Sequence, residues 1–250
     1  YDCLCANRLT LNENKTDVIL FRPRHKQCEL RLNLRIKTKK ISLSTEVKYL
    51  GVILDQHLTW KPHIAELCKK LTKANGLLSK IRHYVDASTL KTIYYNLFHS
   101  QISYACLTWG FGGKNTLSRI CKLQKRAVRL ITFSDYGEPS LRLFSHLRIL
   151  RLKDVVTLNL CLFMHDWCNH KLPDAFDNFF HNNESNVPTR SSVVPKLLLP
   201  TKRTEKYGTN NIKYKGSVCY NQNNESLLSS QTNKNTLKNR LTTLLLAAYT

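Results

Sequence analysis

Five cations set out the chemistry this sequence offers. Arg119, Lys122, the adjacent pair Lys125 and Arg126, and Arg129 recur every three or four residues in a stretch free of Asp and Glu. On a helix turning about 100° per residue they share an arc of roughly 120°. Leu117, Ile120, Leu123, Ala127, Val128, Leu130 and Ile131 fill much of the opposite side. One face would pack. The other would present guanidinium and ammonium groups, which bind phosphate oxygens. A solvated basic face is the alternative. Other constellations carry less. Cys161, His165 and Cys168 recur at i, i+4 and i+7 and have zinc-ligand chemistry. They sit among Leu160, Leu162, Phe163 and Trp167, so small thiols packed in a core are expected there and no metal site. Asp174 and Asp177 flank Ala175-Phe176 and are expected to cap a helix start. The chain has no Gly-x-Ser-x-Gly elbow and no Gly-Lys-(Ser/Thr) phosphate loop.

The elements that must carry these residues follow from apolar spacing. Thr16–Phe21, Leu30–Ile36 and Val47–Leu54 read as strands, with Gly51 marking a bulge or a close backbone approach. From Thr59 the period changes to helical. One helix starts at Thr59-Trp60-Lys61-Pro62 and runs to Ile81. A second, capped by Asp86 or Ser88, carries Leu90, Ile93, Tyr94, Leu97, Phe98 and Ile102. The cationic helix spans about 116–133, and a helix over 152–169 is apolar on most faces and expected to be buried. Residues 181–235 are rich in Asn, Ser, Thr and Pro and predict a loosely ordered segment with short strands at 193–199 and 211–218. A last helix is predicted over 237–249.

Composition narrows the partners. The 250 residues hold 39 Lys+Arg against 17 Asp+Glu, a formal net charge of +22. A 42% hydrophobic content is enough for a core. Half of the excess charge lies in residues 61–130, with thirteen basic and two acidic side chains. Such a balance argues against a small neutral-metabolite enzyme and for a polyanion, most simply nucleic acid. No apolar run reaches the roughly 18–20 residues a bilayer span needs, so no membrane partner is expected. Nine scattered Cys are an odd set and read as reduced thiols of an intracellular protein, cytoplasmic or nuclear. The chain opens without Met, which leads to the expectation that it is a piece of a longer protein.

Several separated stretches are not generic. Asn7-Arg8-Leu9-Thr10-Leu11-Asn12-Glu13-Asn14-Lys15-Thr16 is followed by Lys48-Tyr49-Leu50-Gly51 and by Leu58-Thr59-Trp60. Further on come Tyr104 to Gly110, Leu123-Gln124-Lys125-Arg126-Ala127-Val128-Arg129, Leu152-Lys153-Asp154 and Thr189-Arg190-Ser191. In this order they resemble the C-terminal part of the reverse transcriptases of non-LTR (LINE-type, jockey-like) retrotransposons. The likeness weakens after about residue 200, where Val218-Cys219-Tyr220-Asn221 stands in place of an apolar-Trp-Asn stretch.

The resemblance implies an α+β fold in four parts. Residues 1–58 would be the end of the palm, with β-hairpins, and 59–135 a mainly α-helical thumb-like bundle. Residues 136–180 would hold the buried helix and a connector, and 181–250 the C-terminal region. It implies a contribution to RNA-directed DNA polymerisation: Lys15 as an accessory proton donor to the leaving pyrophosphate, Tyr49, Leu50 and Gly51 as a primer grip, and the cationic helix as a contact to RNA or an RNA–DNA duplex. The aromatic-Ala-Asp-Asp turn of such polymerases does not occur among these residues. No catalytic residue is therefore expected within the chain, no cofactor bound by it, and Mg²⁺ only for the complete polymerase with its upstream palm and fingers. The alternatives are a basic nucleic-acid-binding module retained by a host, or a relic without function.

Overall fold

The computed structural model describes residues 2–12, 16–24, 34–36, 39–182, 196–201, 208–227 and 233–249. The chain is α+β, as expected, and divides into two compact units, Tyr1–Glu66 and Leu67–Thr250. Lys15, the segment 30–33 and Thr189-Arg190-Ser191 lie outside the described residues.

The first unit holds the strands. After helix α1 (Asp2–Ala6), β1 (Val18–Ile19) pairs in parallel with β4 (Leu43–Ser44), Val18 opposite Leu43. Strands β2 (Arg35–Ile36) and β3 (Lys39–Lys40) form one antiparallel pair, β5 (Glu46–Tyr49) and β6 (Val52–Asp55) another. The single strand expected over 47–54 is thus a hairpin. Leu50 and Gly51 both take positive φ, 44° and 81°, and reverse the chain between Tyr49 and Val52. A run broken only by Lys48 and Gly51 hid the turn, of which Gly51 was the signal.

A tight corner follows the hairpin. Leu58 and Trp60 both have positive φ, an uncommon conformation for such side chains. The Asp55 carboxylate holds them: Oδ1 accepts from the N–H of Thr59 (2.8 Å) and Trp60 (2.9 Å), Oδ2 from that of His57 (3.3 Å). Burial by itself would raise the Asp55 pKa, but these donors outweigh it and hold the carboxyl below its ordinary value. Helix α2 (Lys61–Ile81) begins directly after, with Pro62 in its first turn.

The second unit is a helical bundle. Asp86 caps α3 (Ala87–Tyr94), accepting from Thr89 N–H. Leu90, Tyr94, Phe98 and Ile102 are all fully buried. A strict four-residue step overshoots the 3.6-residue turn by about 40°, so a regular α-helix would carry this row off the core. The chain widens instead: Tyr95–His99 form a π-turn, whose longer i→i+5 bonds wind less per residue. Helix α4 (Ser100–Ser103) continues from it. Ala105, at φ 48°, breaks the line before α5 (Cys106–Trp109). Trp109 is fully buried and donates through Nε1 to Tyr104 O at 3.1 Å. A Cβ on Gly110 would collide with Cys106 O and stand 2.6 Å from Val156 Cγ2, so glycine lets the chain lie against the helix that carries Val156, Leu152–Cys168.

Helices α6 (Lys114–Thr132), α7 (Ser140–Leu147) and α8 (Leu152–Cys168) complete the central bundle. Most of helix α8 is buried, from Leu152 to His165, as its sequence, apolar on most faces, predicts, with Lys153 exposed. A short 3-10 turn, Asp174–Phe176, stands where the helix start was expected, but neither aspartate caps it: Pro173 holds the N-cap position without a side-chain bond, and Asp177 follows the turn's last residue. The strand expected over 211–218 is instead part of helix α9 (Ile212–Leu227). Ile212, Tyr214 and Gly216 alternate with Lys213 and Lys215, which mimics a strand period. Packing decides otherwise: Gly216, Cys219 and Tyr220 fall at i, i+3 and i+4, and a Cβ on Gly216 would be 2.8 Å from Met164 and Phe180 atoms. Of the strand expected over 193–199, Leu197 makes an isolated bridge to Asn182, and 193–195 lie outside the described residues. Helix α10 (Lys234–Ala247) ends the chain's ordered elements. Tyr249 then ties back to α8. Its hydroxyl accepts from Arg151 N–H at 3.0 Å and donates to Asp154, while the Arg151 guanidinium lies 4.3 Å over its ring.

Candidate nucleic-acid interface

Helix α6 is positioned by one buried amide. Gln124 is 1% exposed among Ile120, Ala127, Val128 and Ile131. Its Nε2 donates to Tyr94 Oη and to Leu150 O, both at 2.9 Å. Its Oε1 accepts from Leu152 N–H at 2.9 Å. Leu152 opens α8, and Arg151 before it supplies no side-chain cap. Gln124 therefore satisfies an otherwise orphaned helix-start donor from a neighbouring helix. The three bonds fix the roll of α6 about its axis, and with it the direction of the outer face.

That outer face carries the cations the sequence singled out. Arg119, Lys122, Lys125 and Arg126 are exposed. Arg129 differs: it is half-buried, its Nη2 donates to Glu138 O at 2.8 Å, and its guanidinium lies 5.5 Å from the Tyr136 ring centroid. Beside Arg119 and Lys122 runs a groove between α6 and α2, with a volume of about 500 Å³. Its lining is Cys68, Lys69, Thr72, Lys73, Arg119, Lys122 and Leu123. Asn75 on α2 ties the two helices together by donating to Leu123 O at 2.9 Å. Four cations from two helices thus surround one depression, and no acid lines it. Burial pushes the Cys68 thiol above its ordinary pKa, although Arg119 pulls the other way, so the groove floor is neutral. Lys69 and Lys73 escaped the sequence reading. Their i, i+4 spacing on α2 was the available signal.

The hairpin tip of the first unit presents Tyr49 and Leu50, 63% and 72% exposed, beside Gly51. Of the Cys161–His165–Cys168 row, Cys161 and His165 are buried, and Cys161 Sγ lies 3.4 Å from Cys219 Sγ. Among the described residues no group of three His, Cys, Asp or Glu side chains is placed to hold a metal ion. No helix of the described residues is long and apolar enough to cross a membrane.

Three curated relatives match parts of the chain. A probable RNA-directed DNA polymerase from transposon X-element of Drosophila melanogaster is 31% identical over 113 residues, 44% of this chain and 12% of that protein. A probable RNA-directed DNA polymerase from transposon BS of the same species is 30% identical over 95 residues, 37% of this chain and 10% of that protein. The RNA-directed DNA polymerase from mobile element jockey of Drosophila funebris is 29% identical over 128 residues, 50% of this chain and 14% of that protein. The chain matches between a tenth and a seventh of the length of these relatives. No family model and no solved structure matches it.

Proposed function

We propose that these residues are the thumb-like and C-terminal part of a non-LTR retrotransposon reverse transcriptase, gripping the backbone of RNA or an RNA–DNA duplex. The observation that carries this reading is the groove walled by Lys69, Lys73, Arg119 and Lys122 with no acid in its lining. Such a groove offers ammonium and guanidinium donors to successive phosphates and none to base edges, so it would follow a duplex without reading its sequence. Lys125 and Arg126 extend the basic surface along α6. Arg129, held by Glu138 O, would brace the end of the helix more than contact the strand. The exposed tip at Tyr49, Leu50 and Gly51 is proposed to hold a primer end, where glycine lets a backbone approach closely. Lys15 would serve a proton-transfer role only in a complete polymerase.

Fluorescence anisotropy of the full chain with a labelled RNA–DNA hybrid, titrated with salt, tests this. Four to five phosphate contacts predict a slope of log affinity against log salt of roughly −4. Lys122→Glu with Arg126→Glu should weaken binding at least tenfold and flatten that slope. A flat slope in the unaltered chain, or affinity indifferent to the charge reversal, overturns the reading. In primer extension with Mg²⁺ and dNTPs the chain alone should add no nucleotide. Incorporation would overturn the assignment of catalysis to residues outside it.

A further inference from the structure

We infer that an arginine-backed aromatic cluster at the C-terminal end of α6 is a stacking site for unpaired nucleobases, a reading that rests on nucleic acid being the partner proposed above. The rings are Phe133, Tyr136 and Tyr84. Tyr136 is 91% exposed, Tyr84 86% and Phe133 49%. Two of the three are fixed rather than loose. The Arg82 guanidinium lies 4.6 Å from the Phe133 centroid, and the His83 ring meets Phe133 edge-on at 5.8 Å. Arg129 stands 5.5 Å from the Tyr136 centroid, itself anchored through Nη2 to Glu138 O. Each of these rings thus has an arginine to one side and solvent-exposed surface left over. Tyr84 shares the turn of Arg82 and His83, its N–H bonded to Ile81 O.

The backbone at Phe133 points the same way. It takes φ 56° in the position that ends α6, where glycine or asparagine costs least. A phenylalanine there is costlier than either, and its ring stays about half exposed. Arg82 Nε and Arg129 Nε make no hydrogen bond, and both guanidinium groups lie against rings, that of Arg129 with its Nη2 also bonded to Glu138 O.

The cluster differs in kind from the groove. Asp135 and Glu138, both exposed, belong to the same loop and offset part of its charge. Ring stacking therefore carries recognition here, not phosphate attraction. In a duplex the base faces are covered by their neighbours. An open aromatic face can take up only bases that are unpaired or at a strand end. The ligand class is a single-stranded RNA or DNA segment, most directly one running on from a duplex held along α6.

The test compares three labelled probes on the full chain: a blunt RNA–DNA duplex, the same duplex with a short single-stranded overhang, and the single strand alone. Tyr136→Ala and Tyr84→Ala alter exposed side chains that leave the core untouched. Each should weaken overhang and single-strand binding about 5- to 100-fold and leave blunt-duplex binding unchanged. Tyr136→Trp should restore affinity, and 2-aminopurine in the overhang should change its emission on binding the unaltered chain but not Tyr136→Ala. Overhang affinity unchanged in both alanine variants overturns the inference, as does equal weakening of overhang and blunt duplex. Should the unaltered chain ignore the blunt duplex, the groove reading fails by itself. Single-strand binding lost with Tyr136→Ala would then still support the stacking site.

Discussion

Replacing Gln124 by Met removes the amide while keeping nearly the same volume, so the change isolates hydrogen bonding from packing. Three partners lose their bond: the Tyr94 hydroxyl, the Leu150 carbonyl and the Leu152 N–H. Tyr94 is fully buried, and Gln124 itself is 1% exposed, so water does not readily replace the amide. A stranded buried polar group costs about 1–3 kcal/mol. Three of them predict a loss of at least about 3 kcal/mol. In a unit of this size each kcal/mol moves Tm by about 2–4 °C, so Tm should fall by about 6–12 °C at the lower bound. Urea unfolding followed by tryptophan emission reads the effect, since Trp109 is fully buried in the same bundle. Tyr94→Phe is the control. Alone it should cost about 1 kcal/mol, because Gln124 Nε2 keeps Leu150 O. In the Gln124→Met background it should cost less, since the hydroxyl it removes is already orphaned. A Gln124→Met loss below about 1 kcal/mol, or strictly additive variants, would refute the claim that this amide positions α6.

Three further outcomes follow from the packing and the titrating groups. Gly110→Ala should destabilise by about 1–3 kcal/mol through overpacking against Cys106 O and Val156, and Val156→Ala should recover only the part owed to Val156; an unchanged urea midpoint would count against the close approach. Asp55 has a folded pKa below its ordinary 3.8, so its contribution is present above that pH and is lost as pH falls through the folded value. The stability gap between the unaltered chain and Asp55→Asn should therefore close in acid, and a gap constant from pH 6 to pH 2 contradicts this. Tyr249 is pushed up to about 12, first by burial and then by its bond to Asp154. Its contribution is complete below the ordinary value of 10 and is lost as pH rises through 12. Tyr249→Phe should cost about 1–2 kcal/mol near neutrality and progressively less in alkali, as read by urea midpoints across that range.

Much of the helical part was legible because apolar spacing is a physical requirement of burial. Residues 61–81, 87–103, 114–132 and 152–168 appear close to where periodicity placed them. The outer arc of α6 was legible for the same reason, since cations cannot face a core unpaired. Gln124 was not. A neutral amide beside Lys125 reads as surface, and its partners are 26 to 30 residues away in sequence. Its place on the wheel between Ile120 and Val128 was the available clue. Lys69 and Lys73 were invisible as groove walls because a groove needs two helices and sequence spacing describes one. The misread segment at 211–218 shows the limit of short periods: seven residues of alternation fit a strand, and only Met164 and Phe180 against Gly216 decide for a helix. Helix α7 went unseen because its eight residues follow directly on the Gly137–Pro139 turn signals.

The widened turn at Tyr95–His99 has a consequence for chain length. A π-turn holds one residue more than an α-turn between the same flanking elements. Deleting exposed Asn96 would let the segment relax to a plain α-helix with Leu90 on one side and Ile102 on the other still facing inward. The same deletion in the middle of α6 would rotate every later residue by about 100° and turn Val128 outward. The bundle thus contains a place where a one-residue frame of packing can be lost without cost to its neighbours, and it lies in the helix that meets Gln124 through Tyr94.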